Sequence, residues 1–95
     1  MQVEEPIKIT EAAKAAIEDT LRANKIPDSY GLRVGVKGGG CGATLLLGFD
    51  EPSSFDQLYQ VAGVKVLIDR RHLMYVLGVE VGHQDGPDGS GFTVG

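Results

Sequence analysis

The sequence predicts an α+β fold, mostly β: an N-terminal amphipathic helix packed on a compact mixed β-sheet system, with a second short helix entering late. Three observations point there. Apolar residues recur at helical spacing between Thr10 and Asn24, and from Gly31 the period changes to two. Fourteen glycines, scattered without a period, cut the remainder into short pieces. Ninety-five residues suit one domain, 1–95, with no room for two independent cores.

The helix begins after Thr10, whose hydroxyl can accept from a free amide of the first turn, and Glu11 suits the positive end of its dipole. Ala13, Ala16, Ile17, Thr20 and Leu21 make a narrow apolar stripe able to lie close to a sheet. Lys14, Glu18 and Arg22 form a solvated face at i,i+4 spacing. Pro27 cannot continue the helix, which ends between Asn24 and Pro27.

Leu32, Val34 and Val36 alternate with Arg33, Gly35 and Lys37, the pattern of a half-buried strand. After the glycine turn, Thr44 to Phe49 reads TLLLGF, apolar on both faces, which predicts a central strand. Residues 50–54 are a loop, and Leu58–Ala62 and Val64–Ile68 are two short strands hinged at Gly63. Asp69 can cap a short helix over Arg70–Leu77 with Leu73, Val76 and Leu77 inward, and Gly78 supplies its left-handed stop. Val79–His83 is a further strand, a turn-rich link starts at Asp85, and Phe92–Val94 is a last short strand. No internal repeat is visible.

A net charge of −4 argues against a nucleic-acid face, since Arg70-Arg71-His72 is the longest basic cluster. Trp is absent, so a base-stacking platform has little to build with. A single cysteine excludes an internal disulfide and fits a reducing compartment. Met1–Lys8 has no apolar run of a signal peptide, and no stretch approaches the ~20 apolar residues of a membrane span. The expected location is cytoplasmic.

The chemistry concentrates at Cys41, set among Gly38, Gly39, Gly40 and Gly42. Gly38, Gly40 and Ala43 satisfy a loose dinucleotide fingerprint, but that mechanism needs a helix to start there. The apolar run before Pro52, broken by Gly48, offers none. Thiol catalysis would need a base close to Cys41, for which His72 and His83 are the candidates. Metal ligation is the third reading. Consecutive glycine amides can form a nest that stabilises a thiolate and sulfide-like anions, and glycine lets a bulky inorganic group approach the backbone. Against all three stands a cysteine that serves as a small buried hydrophobe. The Lys14/Glu18/Arg22 face and Arg70, Arg71 and His72 read as solvated surface.

The stretches GLRVGVKGGGCG, LGFDEP, GVKVLIDRRHLMYVLGVEV and GSGFTV, in this order, resemble the HesB-like (IscA-like) family of A-type iron–sulfur carriers, from about Ile7 to Val94. The resemblance implies a single HesB-like domain that assists iron–sulfur cluster biogenesis and is not an enzyme. It implies iron or a cluster as cargo, iron–sulfur client or assembly proteins as partners, and a homo-oligomer without nucleic acid or membrane. It assigns metal ligation to Cys41, with Gly39, Gly40 and Gly42 completing the binding turn. The family typically adds a C-terminal Cys-Gly-Cys, whereas this sequence runs to Val94-Gly95, so a degenerate member is expected. The family's usual Cys-Ser-Gly is Cys41-Gly42 here, and an acidic residue and its aromatic neighbour are Gly82 and His83. One thiolate cannot hold a cluster that wants four ligands. Two copies of Cys41 across a two-fold axis, helped by small thiols, client cysteines, His83 or Asp85, would hold it weakly. The competing expectation is a HesB-like fold that docks proteins and binds no metal.

Overall fold

The computed structural model describes residues 5–37, 44–87 and 89–95. Its elements run β1 (Lys8–Ile9), α1 (Glu11–Ala23), β2 (Gly31–Lys37), β3 (Thr44–Asp50), β4 (Asp56–Val61), β5 (Val64–Asp69), α2 (Leu73–Val76), β6 (Glu80–Gly86) and β7 (Gly89–Val94). Two sheets result. One is ordered β3-β2-β5-β4 and the other β1-β6-β7, so the architecture is mostly β with two helices, as the sequence predicts. Among the described residues no helix is long and apolar enough to cross a membrane.

Helix α1 starts where its cap requires. The Thr10 hydroxyl accepts from the Ala13 N–H at 3.1 Å. At the other end Lys25 takes a left-handed φ of 52°, and the Ile26 N–H reaches back to the Leu21 carbonyl, closing the last turn. Ala13 and Ile17 are fully buried and join Ile7, Leu32, Val34, Val66, Ile68, Val76 and Val81 in the core. Each of the valine, leucine and isoleucine side chains among them contributes about 1.5–3 kcal/mol by leaving water.

Four expectations change. TLLLGF is an edge strand, not a central one: β3 pairs only with β2 among the described residues. Its inner side chains Leu45, Leu47 and Phe49 are half-buried, and Leu46 is 43% exposed. Helix α2 spans four residues rather than Arg70–Leu77, and Leu77 faces outward at 50% exposure. Asp69 does not cap that helix, because its carboxylate takes the Arg71 backbone N–H at 2.8 Å and the Arg71 guanidinium at 2.6 Å. The last two strands extend into a hairpin running to Gly86 and from Gly89, longer than Val79–His83 and Phe92–Val94. Strand β1, too short to show a period, pairs parallel with β6.

Candidate functional site

Strands β2 and β3 pair antiparallel in full register, Gly31 opposite Asp50 and Lys37 opposite Thr44. Cys41, Gly39, Gly40 and Gly42, the expected binding residues, belong to the stretch 38–43 joining these ends and lie outside the described residues. The described residues form the frame around that stretch. A strand, not a helix, follows the glycines, so the dinucleotide mechanism lacks its helix N-terminus.

The side of the sheet turned away from the core carries Arg33, Gly35 and Leu46. Gly35 sits opposite Leu46, and His72 lies against it: a Cβ there would stand 3.2 Å from the imidazole Nδ1. Arg33, Leu46, Asp69 and His72 ring a shallow cleft over Gly35, two residues before the end of β2. His72 is thus half-buried beside the hairpin instead of fully solvated. His83 belongs to the other sheet, edge-on to Phe92 with centroids 5.1 Å apart, and Asp85 is exposed opposite Ser90. The structure does not bring His72, His83 and Asp85 together. Among the described residues no three His, Cys, Asp or Glu side chains are placed to hold a metal ion.

Gly82, where the resemblance expects an acidic side chain, is buried, and an added Cβ would meet the Thr93 Oγ1 at 2.7 Å. A carboxylate would fit there only if Thr93 turned away.

Arg33 is the residue sequence reasoning missed. Its guanidinium grips the Asp56 carboxylate with two bonds of 2.6 and 2.8 Å, the Asp50 carboxylate at 3.1 Å and the Glu51 carbonyl at 3.1 Å. Asp50 ends β3 and Asp56 begins β4, the two outermost strands, so one side chain ties together the loop that runs between them. The Asp56 side chain is fully buried and also accepts from the Ser53 N–H at 2.7 Å. Held mainly by Arg33, its carboxyl falls to about 2. Asp69 is likewise lowered, chiefly by its bond to Arg71. The signal available in the sequence was an arginine on the polar side of a strand, with acids at both ends of the loop that follows.

Arg71 also stacks over Phe55 at 4.1 Å. On α2, Met74 and Tyr75 point outward at 76% and 60% exposure.

The sequence matches the iron–sulphur cluster biosynthesis family over residues 6–94. It is 41% identical over 91 residues to the iron–sulfur cluster insertion protein ErpA of Shewanella denitrificans, covering 94% of this chain and 78% of that one. Its fold superposes on the crystal structure of Escherichia coli SufA, involved in biosynthesis of iron–sulfur clusters, with a TM-score of 0.78 and 26% identity, over 99% of this chain and 82% of that one. A crystal structure of IscA with a [2Fe-2S] cluster shares the fold, with a TM-score of 0.67 at 24% identity, over 94% and 80% of the two chains. With the match running from the residue before Ile7 to Val94, through the hairpin and both sheets, the chain belongs to the iron–sulphur cluster biosynthesis family.

Proposed function

We propose that this protein carries an iron–sulfur cluster, or iron, in the cytoplasm and passes it to client or assembly proteins, acting as a carrier and not as a catalyst. The observation that supports this is the family match across the β2–β3 hairpin, between whose paired ends the sequence sets its one thiol among glycines. Cys41 is the proposed ligand, and Gly39, Gly40 and Gly42 the residues that leave the backbone open to an inorganic guest. A cluster wants four ligands, and beside Cys41 a second copy or the receiving protein's cysteines would supply others.

The test is anaerobic reconstitution with iron and sulfide, followed by gel filtration and iron analysis of the wild type beside Cys41→Ser. Iron retained by the wild type and lost from the variant is the expected result. Background iron in both contradicts the proposal.

The second reading, a metal-free docking module, is supported by the outward-facing Met74 and Tyr75 on α2 and Leu77 just after it. Under it Cys41→Ser leaves capture of a partner in a pull-down unchanged, whereas loss of capture would contradict it.

A further inference from the structure

Helix α1 does not cover the sheet evenly. Ala13 and Ile17 are fully buried, whereas Leu21, one turn further along the same apolar stripe, is only half-buried. Phe49 of β3, also on the core side, is likewise half-buried. Between them lies a cavity of about 120 Å³, walled by Ile17, Leu21, Leu32, Phe49 and Val64. That is a little less than the ~150 Å³ that holds benzene in an engineered apolar cavity, and it is room for one branched aliphatic side chain.

The rim carries charges of both signs. Glu18 lines the cavity from α1. One turn before it, Lys14 is half-buried rather than solvated, because its stem lies over the bare turn at Gly63. Its Cε and Nζ stand 3.9 and 3.5 Å from where a Cβ of Gly63 would be. Lys14 and Glu18 sit at i,i+4 spacing, but with lysine first, the less favourable order for pairing. Among the described residues neither forms an ion pair. The other cation at the rim, Lys65, gives its amine to the Asp28 carbonyl at 2.7 Å. The cavity thus lies beneath an ammonium and a carboxylate that do not neutralise each other, on backbone positions about 6 Å apart along the helix.

We propose that this cavity binds a free α-amino acid with a branched aliphatic side chain, the class of L-leucine, L-isoleucine and L-valine. The side chain fills the cavity, the carboxylate meets the Lys14 amine, and the ammonium meets the Glu18 carboxylate. The apolar surface that Leu21 and Phe49 leave in water is covered by the guest. An internal side chain of a partner peptide would bring neither charge, so the two-signed rim selects the free amino acid. Leu32 and Phe49 pair at the end of the β2–β3 hairpin opposite to residues 38–43, so this site does not depend on the carrier reading.

The experiment is titration of the isotope-labelled full chain with L-leucine, followed by heteronuclear NMR. It runs to about 20 mM, well above the Kd of about 1 mM expected for so small a ligand. The backbone amides of Gly31, Gly63 and Val64, at the cavity, should shift and saturate, and glycine or L-aspartate should leave them in place. Isocaproate, which lacks the ammonium, and isopentylamine, which lacks the carboxylate, should each bind about fivefold more weakly than leucine. Glu18→Gln should erase the difference between leucine and isocaproate, and Lys14→Met that between leucine and isopentylamine. Neither position belongs to the core, so both variants should keep the wild-type circular dichroism. The analogue series on the wild type carries the test even where a variant fails to fold. No saturable shift at these amides, equal binding of leucine and both analogues, or differences that survive both substitutions would each overturn the proposal. Cys41→Ser, whatever it does to iron, should bind leucine as the wild type does, so the two proposals fail separately.

Discussion

The β4–β5 hairpin turns on Ala62 and Gly63 alone, with Val61 paired to Val64, and both turn residues take positive φ, 52° and 80°. This is the tight turn whose twist matches that of the strands it joins. Beside it Val61, Val64, Val66, Leu67 and Ile68 are all buried. The β2–β3 hairpin uses residues 38–43 to make the same reversal, four of them glycine and one the only cysteine. Its outer strand leaves Leu45, Leu47 and Phe49 half-buried. A connection longer than the reversal requires costs loop entropy, so its length and composition answer to something other than the reversal itself. Buried apolar contact in this sheet concentrates on the β5 side, and the proposed ligand Cys41 belongs to the β3 side.

Arg33 joins the two sides, and removing its grip is the largest expected effect. Asp56→Ala leaves the guanidinium without its principal partner and the Ser53 N–H without its acceptor. A loss of about 3 kcal/mol is expected by urea denaturation. This is the low end for breaking a buried pair, because the Arg33 side chain is 27% exposed. A loss under about 1 kcal/mol would mean that the two hairpins are held independently.

The same pair sets the acid limb. Asp56 is lowered from the ordinary carboxylate value to about 2 in the folded protein. Its contribution is therefore complete above about pH 4 and is lost as pH falls through about 2. Asp69, lowered by Arg71, adds to the loss in the same direction. Chemical denaturation between about pH 5 and 2 should show a stability that falls steeply in the wild type and less steeply in Asp56→Asn. Equal slopes would remove Asp56 from the account.

A smaller effect tests the tight turn. Ala62 holds a left-handed conformation that costs an ordinary L-residue about 1 kcal/mol and that asparagine tolerates better. Ala62→Asn should raise the melting temperature by a few degrees, corresponding to about 0.5–1 kcal/mol. No rise would mean that the turn is not limiting on the stable side.

Much of this contrast was legible beforehand, because its causes are local. Thr10 and Pro27 bracket α1 by chemistry acting within one turn, and the alternation from Leu32 to Val36 marks β2. The glycine setting of Cys41 and the family resemblance were likewise plain from the residues. The edge position of β3 was not. A strand apolar on both faces has the composition of a central one, and its place is decided by β5 taking the other side of β2, where Leu32 pairs with Val66 far along the sequence. Helix α2 was overdrawn because Asp69 has two uses for one carboxylate, and Arg71 wins it. Arg33 was overlooked because its partners lie 17 and 23 residues away, beyond any periodic pattern.

The central claim, that Cys41 holds cargo for delivery, is tested most directly by transfer. Protein loaded anaerobically and freed of excess iron and sulfide is mixed with the apo form of a [2Fe-2S] ferredoxin, and the ferredoxin's circular dichroism is followed over time. The wild type should restore that signal faster than equal amounts of free iron and sulfide, and Cys41→Ser, treated identically, should not. Restoration at the same rate by both proteins would contradict the account.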